Sequence, residues 1–196
     1  KQFNILSKLI LGEKVAIILD KNIAKFYPAF LEKHLKNKRV FYYIVNSGER
    51  SKSKKTCFKI LNFLSKNELN RNDTIIAFGG GVIGDLVGFI ASVYLRGISY
   101  INIPTSLLSM VDSSIGSKTA INLDRGKNLC GTFYSPKAVL IYTKFLNTLN
   151  EKEIKCGVGE IIKYTYLNKE ILFNGNIDDS IIISCIEFKI FCKCSY

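Results

Sequence analysis

From residue 15 onward, short apolar runs alternate with amphipathic stretches. Val15, Ala16, Ile17, Ile18 and Leu19 make a largely β-branched run, which predicts a buried strand. Residues 21–36 have helical periodicity, with Pro28 in the first turn or at a break. Residues 40–45 predict a second strand, and 51–66 a helix with apolar positions Phe58, Leu61, Phe63 and Leu64. A third strand is expected over 74–78, ended by three glycines. Residues 85–95 are apolar almost all round, as in a helix buried on several sides. Then come a fourth strand over 99–103, stopped by Pro104, a helix over 106–111, a strand over 138–142 and a long helix over 151–167. Strands that are nearly all apolar and alternate with helices indicate an α/β fold, a parallel sheet covered on both faces. Strand signals fade after residue 150, and 181–191 reads as helix. The chain therefore divides into an α/β domain over 1–150 and the start of an all-α domain over 151–196.

Composition adds limits. Of the 196 residues, 47% are apolar and 22% charged, which fits a folded chain rather than a disordered one. Lys and Arg outnumber Asp and Glu 28 to 16, a formal charge of +12. That balance suits a nucleic acid or an anionic substrate. The densest basic runs, 33–39 and 52–55, fall in segments of helical periodicity without interleaved aromatic residues, so they read as solvated faces, not as a nucleic-acid platform. No apolar run approaches the roughly 20 residues of a membrane span. There is no signal-peptide pattern, and a cytoplasmic location without membrane partners is expected. The six cysteines, Cys57, Cys130, Cys156, Cys185, Cys192 and Cys194, have irregular spacing and read as free thiols. His34, the single histidine, sits in a charged stretch and reads as a surface residue.

The most informative string is Gly79-Gly80-Gly81-Val82-Ile83-Gly84-Asp85. Gly79, Gly81 and Gly84 satisfy G-x-G-x-x-G between a predicted strand and a predicted helix. Glycines let the backbone approach a pyrophosphate, and the helix start supplies free N–H groups and a positive dipole. The acid that usually follows about 20 residues later to hold a ribose is missing, since that strand ends Asn102-Ile103-Pro104-Thr105-Ser106. Asp20, after the first strand, is the alternative. Beyond it, Arg96, Asp112, Lys118, Asp124, Arg125, Lys127, Lys137, Glu160 and Lys163 punctuate apolar or small-residue sequence. Lysines beside glycines suit an anion site, where an ammonium must reach a phosphate unobstructed. Glu160 and Lys163, three apart on a helix, share a face; as a surface ion pair they contribute about 0.3 kcal/mol. One carboxylate alone does not make a metal site.

These strings, with Arg96-Gly97, 104–108, 111–118, 126–128, 157–163 and the early Gly48-Glu49-Arg50-Ser51-Lys52, occur in the order and at the spacing of the 3-dehydroquinate synthase family. The chain resembles that family from about residue 12 to 167, and the string 184–189 still resembles it. The resemblance implies an N-terminal NAD-binding α/β domain and a C-terminal helical domain holding much of the metal and substrate site. It implies a phosphate-eliminating cyclase of the shikimate pathway. That enzyme converts 3-deoxy-D-arabino-heptulosonate 7-phosphate, a phosphorylated sugar acid, to 3-dehydroquinate, using NAD catalytically, zinc or cobalt, and a homodimer. Carried over residue by residue, Asp20, Glu49, Lys52, Gly80, Gly81, Val82, Ile83, Gly84, Asp85, Thr105, Ser106 and the segment Phe145, Leu146, Asn147 and Thr148 would bind the cofactor. Lys118 and Lys127 would line the nicotinamide and substrate region. Asp112, Asn128 and Lys163 would contact substrate, Arg96 would reach phosphate across a dimer interface, and Glu160 would be a metal ligand.

Ser106, Ser117 and Gly159 depart from residues frequent in the family. Its first strand is largely missing here, and its metal-binding histidines, in an Asn-Phe-Gly-His-Thr segment, are not in this sequence. The expectation is a partial copy that keeps some of the cofactor cradle, binds metal weakly and exposes apolar residues at 161–162 and 181–183. Three other readings stay open: a related sugar phosphate cyclase, a metal-dependent polyol dehydrogenase and a non-catalytic remnant.

Overall fold

A computed structural model of the chain describes residues 2–27 and 29–194. After a short helix α1 (Leu6–Leu9), β1 (Lys14–Asp20), β2 (Arg39–Val45), β3 (Thr74–Gly79), β4 (Ser99–Pro104) and β7 (Ala138–Val139) form one sheet in the order β2-β1-β3-β4-β7. Every pairing in it is parallel. The connecting helices are α2 (Lys21–Phe26), α3 (Lys54–Lys66) and α4 (Gly81–Val93). Two helices follow, α5 (Glu151–Leu167) and α6 (Asp179–Cys194).

The period-two geometry of a strand explains the layers. Ala16, Ile18, Ile75 and Ala77 point to one side, where they meet Cys57, Ile60 and Leu64 of α3 and Ile83, Leu86, Val87 and Ile90 of α4. Val15, Ile17, Leu19, Ile76, Phe78, Ile101 and Ile103 point to the other. That side is closed by Leu31, Leu35 and Phe145, and by Ile161 and Tyr164 of α5 and Ile182 and Cys185 of α6.

Several expectations are corrected. Residues 21–36 are not one helix. Helix α2 stops at Phe26, and only a single-turn 3-10 segment, Glu32–His34, follows. Tyr27 precedes a proline, which disfavours helical backbone, and it leaves the helical region at φ −135° and ψ 49°. The position of Pro28 itself lies outside the described residues. The basic run 33–39 thus spans a turn and the start of β2. His34 is half-buried against the rings of Phe3 and Phe30, and burial, then Lys33, hold its pKa below the usual value.

Helix α3 starts at Lys54 because Ser53 caps it, accepting from the Thr56 amide at 3.3 Å. It buries Cys57, Ile60 and Leu64, which leaves Phe58 exposed. Helix α4 begins four residues earlier than predicted, at Gly81, and gives way to a tight turn at Tyr94–Arg96. The helix expected over 106–111 is a π-helical turn, Ser109–Ser113. The strand over 138–142 shrinks to Ala138–Val139. Ile161, Ile181 and Ile182 are buried, and of that face only Ile162 and Ile183 are exposed. The five cysteines with described side chains are free thiols, and the side chain of Cys194 lies outside the described residues.

The largest element not predicted is an antiparallel hairpin of β5 (Lys118–Leu123) and β6 (Gly126–Phe133). It packs on α4 at Gly88, where an added Cβ would stand 2.4 Å from Thr119 Cγ2. Thr119 cannot rotate away freely, since its hydroxyl bonds the Thr132 carbonyl at 3.0 Å and lies 2.9 Å from the Thr132 hydroxyl. Gly88→Ala gains about 1 kcal/mol of helix propensity, but overpacking costs about 1–3 kcal/mol. The variant is expected to melt below the parent in thermal unfolding; a higher melting temperature would show that the hairpin gives way.

Candidate functional site

The chain lays β2 on one side of β1 and then returns to place β3 on the other, so strand order reverses between β1 and β3. In an open parallel sheet, ligands bind in the crevice beyond the carboxyl ends of the strands at such a point. A cleft of about 380 Å³ lies there. Asp20 ends β1, Ser47 and Gly48 follow β2, Gly80 to Ile83 follow β3, and Thr105 and Ser106 follow β4. Thr148, Asn150 and Glu153 close it from the start of α5.

The glycine turn shapes the floor. The Gly80 carbonyl takes the Ile83 and Gly84 amides at 3.0 and 3.1 Å, and the Gly79 carbonyl takes the Thr105 amide at 3.1 Å. Gly80 has no side chain to cap α4, so the first helical N–H groups, at Gly81 and Val82, are left to a ligand or to water. A Cβ on Gly81 would lie 2.9 Å from Ser113 Oγ, and one on Gly80 3.2 Å from Ser106 Oγ. Gly84 plays a different part: its bare face lies against Asn102, and its role is helix–sheet packing. Asp20 Oδ1 accepts from the Asn22 and Ile23 amides at 2.8 and 3.1 Å and from Ser47 Oγ at 3.2 Å, so the carboxylate caps α2 while lining the cleft.

One helical turn along α4, Asp85 meets Lys52, which is only 4% exposed. Lys52 Nζ donates to Asp85 Oδ2 and to Asn128 Oδ1. Burial pushes the Asp85 carboxyl above its ordinary value, Lys52 opposes the rise, and Glu49 and Asp112 add to it. A second cavity, of about 360 Å³, opens beside this pair and is lined by Asp85, Lys118, Thr119, Asn128, Thr132 and Phe133.

Asp112 lies in the π-helical turn. Its Oδ1 accepts from the Tyr164 hydroxyl at 2.7 Å and from Lys189 Nζ. Burial raises this carboxyl, but Lys189, Tyr164 and Lys163 together bring it below the ordinary value. The same contact and burial push the Tyr164 phenol far up. A carboxyl depressed in the folded state adds stability that is present above its unfolded pKa and is lost as pH falls through its folded value. Asp112→Asn is therefore expected to melt below the parent at neutral pH and to converge with it on acidification below the usual carboxylate range. A constant gap across pH would contradict this.

Asp20, Gly80 to Ile83, Thr105, Ser106 and Thr148 thus share one cleft, and Asp85, Lys118 and Asn128 line the second cavity, with Lys52 bonded to Asp85 and Asn128. Glu49 joins them through Asn122. Glu160 and Lys163 bond each other on α5. Some expected residues are not brought in. Arg96 is exposed at the amino end of β4, the wrong end of the sheet for the cleft. The Phe145 ring is core, Leu146 packs against that core and Asn147 is exposed outside the cleft lining. Lys127 is exposed on β6 and does not line the second cavity. The sequence reading missed Asn122, Ser113, Tyr164 and Lys189; for Lys189 the one signal was its place at the end of the 184–189 string.

The profile of the 3-dehydroquinate synthase N-terminal region matches residues 42–156. The chain is 46% identical over 194 residues to a 3-dehydroquinate synthase of Clostridium acetobutylicum, covering 96% of this chain and 54% of that protein. It is 50% identical over 155 residues to that of Dictyoglomus thermophilum, covering 74% and 44%. The chain spans about half the length of these curated relatives. Its fold is similar to a crystal structure of 2-deoxy-scyllo-inosose synthase complexed with carbaglucose-6-phosphate, NAD+ and Co2+, with TM-score 0.83 and 26% identity, covering 98% of this chain and 57% of that one. A glycerol dehydrogenase from Schizosaccharomyces pombe shares the fold at TM-score 0.62 and 19% identity, covering 87% and 41%.

Proposed function

Because the chain belongs to the 3-dehydroquinate synthase family, we propose that it carries that enzyme's NAD site and part of its substrate site. The whole protein would convert 3-deoxy-D-arabino-heptulosonate 7-phosphate to 3-dehydroquinate and phosphate. The observation that carries this reading is the uncapped start of α4, with its glycine floor against Ser113, at the point where strand order reverses. A dinucleotide fits there, because bare amides and a helix N-terminus suit a pyrophosphate. Asp20 and Ser47 lie at the end of the cleft suited to a ribose, and Thr105, Ser106 and Thr148 complete the rim.

When bound, NAD would supply the hydride acceptor and donor. The chain's own part is electrostatic. Lys118 and Asn128 stand at the second cavity, where a phosphorylated sugar acid would enter. Lys52 holds the Asp85 carboxyl at the second cavity. Asp112, charged by its contact with Lys189, presents a fixed anion on the α5 side. Glu160 would be one ligand of a divalent cation, but its carboxylate is taken by Lys163. Among the described residues no group of three or more His, Cys, Asp or Glu comes together as a metal site. The described residues alone therefore do not hold the metal, and no step is assigned through it. Arg96, exposed on the outer end of the sheet, would act on a second subunit in a homodimer. The division at 150 follows the change from sheet to helices. No described helix is long and apolar enough to cross a membrane; the whole protein would work in the cytoplasm, without nucleic-acid partners.

Calorimetric titration of the purified chain with NAD tests this. Saturable binding is expected, and Gly81→Val, which puts a branched side chain against Ser113 and into the cleft, is expected to abolish it. Failure of the parent to bind, or equal binding by the variant, would refute the site.

A further inference from the structure

We propose that Asn122, outside both cavities, is a positioning residue that sets Glu49, Lys52 and Asn128 in register; the inference rests on the NAD reading above for its effect on affinity. In β5–β6, Ile121 pairs with Cys130 but Leu123 pairs with Gly126. Residues 127–129 therefore stand opposite the single residue Asn122. Such a bulge leaves a backbone amide without a ladder partner. Here the side chain of Asn122 takes the partner's place: its Oδ1 accepts the Asn128 amide at 2.9 Å. Asn128 adopts left-handed backbone, φ 58°, at that position, and its own Oδ1 then receives Lys52 Nζ.

The other end of the same amide acts on the 49–52 turn. Asn122 Nδ2 donates to Glu49 Oε1 at 2.8 Å, and the Asn122 backbone N–H donates to the Lys52 carbonyl at 2.8 Å. One residue thus fastens the hairpin to the turn at two points and closes the bulge at a third. The Lys52 ammonium is left between Asp85 and Asn128. Only a side chain with a donor and an acceptor on one short planar group can do this. Aspartate keeps the acceptor for Asn128 but sets a carboxylate against Glu49, and alanine loses both contacts.

The test uses this chain with Asn122→Ala and Asn122→Asp, read by residue-resolved amide hydrogen exchange and by NAD calorimetry. In Asn122→Ala the Asn128 amide is expected to exchange faster by about tenfold, as for one lost hydrogen bond, while Thr119 and Ile121 keep their protection. NAD affinity is expected to fall by about tenfold as well. Asn122→Asp should keep the protection at Asn128 and still weaken NAD. It decides the matter should the alanine variant not fold. Unchanged exchange at Asn128 in Asn122→Ala overturns the proposal. So does faster exchange spread evenly over the hairpin, which marks a structural role only, or unaltered NAD affinity in both variants. If the parent chain binds no NAD, the cofactor reading falls separately, and the exchange at Asn128 alone decides the positioning role.

Discussion

Phe145→Ala is expected to remove about 3–5 kcal/mol of folding stability, the usual range for deleting a buried aromatic ring. Phe145 is 1% exposed. Its ring meets those of Tyr27, Phe30, Phe78, Tyr142 and Phe3, with centroids 5.0, 5.2, 5.3, 5.3 and 6.3 Å away. Most of these contacts are edge-on or tilted, a favourable geometry beyond simple burial. Natural domains have only about 5–15 kcal/mol in total, so the variant would sit near the edge of folding. Urea unfolding is the measurement, with a lower midpoint at unchanged slope expected. The family resemblance placed Phe145 at the cofactor. A variant that kept its stability and lost NAD affinity would restore that role and refute the core placement.

Lys52→Met is expected to have the second large effect. Methionine keeps the stem's volume but leaves Asp85 buried without its cation, and removing one partner of a buried pair costs about 3–5 kcal/mol. The effect depends on pH in a definite direction. Asp85 already has a raised carboxyl pKa from burial, and without Lys52 it rises further. A folded-state carboxyl pKa above the unfolded one means that the folded chain binds the extra proton. Stability is then greatest below the unfolded value and is lost as pH rises through the folded value. Thermal melts should therefore show the variant closest to the parent in acid and furthest from it at neutral pH. Adding Asp85→Asn should recover much of the loss. NAD affinity should fall too, because Asp85 and Asn128 lose the ammonium between them. Equal melting temperatures at pH 7 would contradict the assignment.

How much of this was legible in the sequence depended on whether the signal was local. β1 and β3 are continuous apolar runs, β4 is such a run interrupted by Asn102, and each extends only a residue or so beyond the predicted bounds. Helix α5 matches its prediction, with Asn150 as the cap, accepting from the Glu153 amide at 3.0 Å. The hairpin was missed because its alternation is written in Thr119, Ile121, Cys130 and Thr132. Half of those inward residues are hydroxyl side chains that satisfy one another, and against them the glycines and lysines suggested a loop. The glycine turn was legible because its chemistry lies within seven residues. The contact of Lys189 with Asp112 spans 77 residues and leaves no periodic trace. Family resemblance supplied Lys52 and Asn128, but the reason for their adjacency is a bulge, which periodicity does not reveal.

The two buried thiols sit on opposite sides of the sheet, Cys57 in the layer with α3 and α4, Cys185 in the layer with α6. Burial, aided by Cys130 for one and Glu160 for the other, lifts both to about 11. Each is protonated and shielded at neutral pH, so an alkylating reagent reaches it only when its own layer parts. The chain thereby carries a pair of built-in clocks. Pulse labelling followed by peptide mass analysis would time the loosening of one flank of the sheet separately from that of the other.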